Sequence, residues 1–324
     1  MTVSRPLIPP LGGTSLETAE SKEKSVIRPV FWNKKQDGFQ LFRGTTEIVQ
    51  RWTELPCQRL ALCLCGLCER NILLIINADD LGKDKYTTGT ILQCHRQGRI
   101  SSTSAMVFMR DSERAAEQAL EAGLDVGLHI NFTQRLTGLS NHSLLESFHE
   151  TVAGFLARTR YCPLYNPRLW RQFEYVYHAQ LEEFLRLYGK RPSHIDGHEH
   201  MHLCTNMIVD RPIHAGFPVR KSFHFFSGEK GVANRLYRRF LNGWVDRHFV
   251  STDYFFDIQP IVEQRLLRIM ALSKTSHVEL MVHPERNIHS EYLLSGRFLD
   301  LLRGLIVGTW EELNPGEREK GLQG

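Results

Sequence analysis

The chain has 324 residues, 42% of them hydrophobic, enough to bury a large core as one big α/β domain or two smaller ones and too apolar for a disordered tail. Its 40 basic and 36 acidic side chains leave a net charge of +4, which implies no strong nucleic-acid or membrane-surface field. Seven cysteines, an odd count with Cys57, Cys63, Cys65 and Cys68 crowded together, do not resemble a disulfide framework, and a reducing cytoplasm fits them best.

The opening residues lack the basic start, continuous apolar run and cleavage site of a signal peptide, and their Pro/Gly/Ser-rich composition predicts a mobile segment. The most apolar stretch, LALCLCGLCERNILLII, is broken by Glu69, Arg70 and Asn71 after nine residues. A bilayer span needs about 20, so no membrane span is expected. Residues 1–70 therefore read as a partly disordered N-terminal extension, and its four cysteines as small buried hydrophobes more readily than as a thiolate metal site, since no paired C-x-x-C modules are present.

From residue 72 short β-branched runs alternate with helix-like segments, the rhythm of parallel strands joined by crossover helices. Strands are predicted at 72–78, 101–109, 125–131, 193–196, 217–222, 251–256, 277–283 and 304–310, and eight is the count of a closed barrel. An open doubly wound sheet stays admissible, because strand order is not readable from one sequence. A helix is predicted over 111–123, capped by Asp111 or Ser112 and stopped by Gly123, and another from about Arg168 to Tyr188, followed by Gly189 and Pro192. The insertion 132–167 shows no clean period and reads as a lid or rim over the strand ends.

Chemistry in either architecture collects at the carboxyl ends of the strands. The first predicted strand ends in NADDLG, where adjacent Asp79 and Asp80 can serve one site only if the backbone turns; Gly82 is consistent with that turn. Two ionised carboxylates side by side call for a cation or a shared proton. The third strand, DVGLHIN, sets Asp125, Gly127, His129 and Asn131 on one face and Val126, Leu128 and Ile130 on the other. SHIDGHEHMH would align Asp196, His198, His200 and His202 on one face if it stayed extended, and imidazoles with a carboxylate are what a divalent metal requires. His283 closes the seventh strand in VELMVHPE. Taken one at a time these residues have ordinary explanations, such as caps, hydrogen-bonded core histidines or solvated turns; their placement at the ends of different strands is what makes a constellation.

NADDLG, GLHIN, PSHIDGHEHMH and MVHPE, in that order, together with the helix AQLEEFLRLYGKR and the closing IVGTWEEL, resemble the YdjC-like family of carbohydrate deacetylases over about residues 71–313. The resemblance implies a distorted TIM-barrel-like (β/α) barrel, followed by a C-terminal tail at 314–324, that removes acetyl groups from N-acetylated sugars with a divalent metal ion, magnesium or zinc. It implies Asp80, His129 and His198 as metal ligands, Asp79 as general base and His283 as general acid. Asn131, Asp196, His200, His202, Arg220 and Asp253 rank behind these as substrate or supporting residues. Of these, Arg220 could hold a catalytic carboxylate or a sugar hydroxyl, with a surface arginine equally open, and Asp253 is more simply a cap. The expected partner is the acetylated sugar; nucleic acid is not expected, and a homodimer stays open. The chain departs from the family in its 70 preceding residues and in Leu81, where an aromatic residue is common. A metal-dependent phosphoesterase on the same barrel is the runner-up reading, although it would want more carboxylates for a two-metal clamp. A silent carbohydrate- or metal-binding protein is third, with no need of Asp79 or His283.

Overall fold

The computed structural model describes residues 72–139, 143–158 and 164–313. The expectations for the N-terminal extension, its cysteine cluster and the C-terminal tail lie outside these residues. Among the described residues six strands form one parallel sheet: β1 (Leu74–Leu81), β2 (Ser102–Ala105), β3 (Asp125–Ile130), β4 (Ile195–Gly197), β5 (Tyr254–Asp257) and β6 (Val278–Val282), in the order β4-β3-β2-β1-β6-β5. Parallel neighbours need crossovers, and helices supply them: α1 (Lys85–Arg96), α2 (Ser112–Glu121), α3 (Ser143–Arg158), α4 (Trp170–Tyr188), α5 (Thr205–Asp210), α6 (Val232–His248), α7 (Glu263–Leu272), α8 (Asn287–Leu294), α9 (Gly296–Leu302) and α10 (Trp310–Leu313). None of the described helices is long and apolar enough to cross a membrane.

The sheet curls into the expected α/β barrel-like fold, with six regular strands where eight were predicted. The two missing strands survive as single bridges. Residues 217–220 pair with β4 at Ile195 and, on their other side, with Val250 just ahead of β5, so backbone hydrogen bonds continue from β4 towards β5. Val307 pairs with Leu74 below the point where β2 begins. Sequence pattern marks these segments as extended but cannot say that each has room for only one or two ladder bonds. The insertion after β3 holds the 16-residue helix α3, which its sequence does not announce by a clean apolar period.

Strand alternation divides the barrel into two chemistries. Leu74, Ile76 and Ala78 of β1, Val126, Leu128 and Ile130 of β3, and Val278, Leu280 and Val282 of β6 face the helices and join one continuous core. Each of the Val, Leu and Ile side chains among them contributes about 1.5–3 kcal/mol on burial. The alternate residues Asn77, Asp79, Ser104, His129, Asp196 and Glu279 face inward, and all are buried. At the amino end of the strands Trp310 plugs the barrel with Leu73 and Ile75, stacks on His194 at 4.7 Å between ring centroids, and donates its backbone N–H to Asp125. Gly127 is obligatory beside that stack: a Cβ there would lie 2.3 Å from the His194 ring.

Candidate active site

The carboxyl end of β1 carries the two adjacent aspartates, and a local irregularity lets both serve one site. Register with β2 shifts between Ala78 and Leu81, and Asp80 adopts φ 73°, a left-handed conformation seldom used by a non-glycine residue. Gly82 follows at φ 85°, where a Cβ would stand 2.9 Å from the Met106 carbonyl. The bulge holds local strain and in doing so aims both carboxylates across the same end of the barrel.

Asp80 meets two imidazoles there. Its Oδ1 lies 3.2 Å from His129 Nε2 and 3.0 Å from His198 Nδ1, and the two rings stand edge-on with centroids 5.6 Å apart. The other Asp80 oxygen pairs with Lys83 Nζ at 2.9 Å. His129 Nδ1 donates to Asp196 Oδ1 at 2.8 Å. With that proton committed, a neutral His129 presents the Nε2 lone pair to a carboxylate oxygen, and two acceptors face one another unless a proton or a cation sits between them. Asp80, His129 and His198 thus have the donor chemistry of a divalent cation site, and the Asp196–His129 bond is the support such ligands commonly receive. Burial would raise the Asp80 carboxyl, but the hydrogen bonds and charges of the two histidines hold it well below the usual carboxylate range. Burial likewise opposes a charge on His129, yet the charge and hydrogen bond of Asp196 push it up to about 10.

Asp79 is held by a different partner. Arg220, fully buried, donates from Nη1 and Nη2 to the two Asp79 oxygens at 2.8 Å each, pairs with Asp196 Oδ2, and donates from Nε to Glu279 at 2.8 Å. Its guanidinium also lies 4.8 Å over the Phe255 ring. One cation therefore fixes three inward carboxylates, with Asn77 Nδ2 adding a bond to Asp79 at 2.9 Å. Burial pushes Glu279 up to about 7 although Arg220 opposes the rise. Burial would also raise Asp196, but the Arg220 and His129 charges hold it below the ordinary range.

The histidine cluster does not stay extended. Pairing of β4 ends at Gly197, and a tight helical segment follows at His198–Leu203, with Glu199 and His200 at φ 53° and 61°. The expected single face of Asp196, His198, His200 and His202 is therefore broken up. Asp196 points into the barrel and His198 to Asp80. His200 packs edge-on against Phe223 at 4.3 Å between centroids, and His202, buried, hydrogen-bonds through Nε2 to the Arg220 carbonyl. Burial moves both His200 and His202 down, His202 to about 4, so neither carries a charge at neutral pH.

His283 follows β6 and, with Glu285, brings a ligand atom within 4.8 Å of Asp80; both have a buried side-chain atom with no hydrogen-bond partner, Nδ1 and Oε2. Asn131 organises the loop after β3, accepting from the Thr133 and Gln134 N–H groups and donating to the Gln134 carbonyl. Gln180 of α4 bonds both its N–H and its carbonyl. Asp253 does not join the others: it is exposed at the amino end of the strands, where Oδ2 accepts from the His277 N–H just before β6. Lys83, Ser104, Glu279 and Glu285 also line the site, and the motifs named above assign none of them a role. Glu279 had a signal, a lone acid inside the apolar strand VELMV. Beside His198 a cavity of about 540 Å³, within the size range of small-ligand sites, is walled by Thr133, Gln134 and the α3 residues Ala153, Leu156 and Ala157, so the insertion does form a rim.

A parallel α/β barrel that gathers an aspartate and two imidazoles at the carboxyl ends of its strands has the layout of a barrel enzyme. The chain belongs to the family of YdjC-like proteins, whose model matches residues 73–296. It is 32% identical over 252 residues to a chitooligosaccharide deacetylase of Proteus mirabilis, an alignment that covers 78% of this chain and 96% of the relative. It is 30% identical over 224 residues to a carbohydrate deacetylase of Vibrio cholerae, covering 65% and 77%. Among solved structures, a protein from Enterococcus faecalis V583 named for cellobiose-phosphate cleavage superposes with a TM-score of 0.54 at 18% identity, covering 75% of this chain and 99% of its own, which is a likeness of fold.

Proposed function

We propose that residues 71–313 form a hydrolase that removes the acetyl group from N-acetylated sugars, such as N-acetylglucosamine oligosaccharides, with a divalent cation, zinc or magnesium, held by Asp80, His129 and His198. The observation that carries this reading is the convergence of His129 Nε2 and His198 Nδ1 on one oxygen of Asp80, at 3.2 and 3.0 Å. The names of the relatives supply the substrate class.

A cation bound there supplies a Lewis acid that activates water and polarises a carbonyl. Asp79, oriented by the Arg220 fork, takes the proton from the water that attacks the acetamide carbon. Asp196 keeps His129 in the tautomer that leaves Nε2 free. His283 gives a proton to the departing sugar nitrogen, because an amide nitrogen leaves poorly as an anion. The carbon–nitrogen bond breaks, and acetate and an amino sugar leave. A second cation at Asp79, His129 and Asp196 is disfavoured, because Arg220 already pairs with both of these acids; a two-cation phosphoesterase would have to use Asp80 with His283 and Glu285 instead.

The test is acetate release from N,N′-diacetylchitobiose and longer chitooligosaccharides, before and after chelation and after zinc or magnesium is restored. Acetate release that depends on the added ion is expected. Release that survives thorough chelation would remove the cation from the scheme, and phosphate-ester turnover without acetate would overturn the deacetylase reading.

A further inference from the structure

A second cavity, of about 900 Å³, lies against α6, on the other side of an aromatic wall from the Asp79 cluster. Phe223 lines it and stacks at 4.8 Å on Phe255, the ring beneath Arg220. Four cationic side chains, Lys221, Arg235, Arg238 and Arg239, line it against two carboxylates, Asp246 and Asp253. Both acids are engaged, Asp246 by Lys221 Nζ at 2.7 Å and Asp253 by the His277 N–H. Among the described residues none of the three arginines pairs with a carboxylate.

These arginines are positioned on one side of the helix. Arg238 is braced over Phe223 and Phe225, 5.5 and 5.2 Å from the ring centroids, with Nε donating to Asn234. Arg235 has a buried Nε with no partner, and a buried donor left without an acceptor costs stability. Three guanidinium groups without a carboxylate partner, one of them with a buried unsatisfied Nε–H, favour an acceptor of strong negative charge.

We propose that this cavity binds the phosphate of a small phosphomonoester, with Arg235, Arg238 and Arg239 as its donors and the Phe223 and Phe225 rings beside the organic part. A dianion matches the surplus of positive charge, and the fork of a guanidinium matches two phosphate oxygens. The site is independent of the acetyl-removing reading and can be tested without turnover.

The test uses the full chain and isothermal titration with inorganic phosphate and with glucosamine 6-phosphate, at constant ionic strength with chloride as the control anion. A parallel arm measures co-sedimentation with vesicles of phosphatidylcholine containing phosphatidic acid. Saturable binding of either soluble phosphate is expected, weakened about tenfold or more in Arg235→Gln and in Arg239→Gln, whose folding is checked by circular dichroism. Vesicle binding that the same substitutions weaken, with no response to the soluble probes, would assign the site to a lipid headgroup phosphate. Absence of both responses, or binding equal in parent and in the folded Arg239→Gln variant, would overturn the proposal.

Discussion

Replacing Arg220 with methionine tests the frame of the site most directly. The substitution keeps an unbranched chain in the space over Phe255 but removes the cation from Asp79, Asp196 and Glu279, all of which are buried. Breaking a buried ion pair from one side costs about 3–5 kcal/mol, because the remaining charge has lost its partner. For a domain of this size 1 kcal/mol moves the melting temperature by about 2–4 °C, so a fall of roughly 6–20 °C is expected. The deficit has a direction with pH as well. Arg220 opposes the rise of Glu279 and holds Asp196 down, so without it both carboxyls take protons at higher pH, and acidification relieves the repulsion. The difference in melting temperature between parent and variant should therefore shrink from pH 8 to pH 5.5, measured by scanning calorimetry. Arg220→Lys should lie between the two, retaining charge without the two-pronged grip on Asp79. An Arg220→Met variant melting within about 2 °C of the parent, or a deficit that grows on acidification, would refute the argument that Arg220 holds this site together.

Asp79→Asn should retain the cation and lose turnover by about two or more orders of magnitude, read as acetate release beside metal content. His129→Ala and His198→Ala should lose the cation itself, which elemental analysis of freshly purified protein detects. Because the Asp196 charge favours the doubly protonated His129 ring, a cation taken at Nε2 has to displace the proton there; affinity should weaken as pH falls, and calorimetry in buffers of different ionisation enthalpy should count the released proton. Gly127→Ala should cost about 1–3 kcal/mol or prevent folding, since its Cβ would strike a ring trapped between the sheet and Trp310; unchanged melting would contradict the packing described there.

The residues that carry the proposed chemistry were legible for a physical reason: each lies at or just after a strand end, most where a polar residue interrupts an apolar run. Asp79, Asp80, His129 and His283 show that interruption in the sequence, His198 stands out instead by its place in the cluster SHIDGHEHMH, and family resemblance gave them roles. The helix α4 was readable from its period and from Gly189, which takes the left-handed cap. What was not legible depends on contacts between distant segments. Whether 217–222 and 304–310 become strands depends on how much neighbour each finds, and they find one or two residues' worth. The path after Gly197 depends on two left-handed residues, Glu199 and His200, whose types do not advertise that conformation. Alternation counts beyond Gly197 therefore misassign His200 and His202.

The same logic explains why Arg220 stayed ambiguous in the sequence. An arginine after a short apolar run reads equally as a solvated end or as a buried clamp, and only the acids opposite decide which. Here those acids come from three strands: Asp79 on β1, Asp196 on β4 and Glu279 on β6. Carboxylates brought together by the curl of the sheet would repel without a counter-charge, so the barrel's inward face requires a cation as part of its fold. Arg220 supplies that charge on one side of Asp79, while the Asp80, His129 and His198 cluster provides ligands for a second positive charge on the other. If that division is correct, removing the divalent cation should leave the fold largely intact while removing Arg220 should not. Melting curves of chelated parent protein and of the Arg220→Met variant, run side by side, separate the two positive charges by what each one holds.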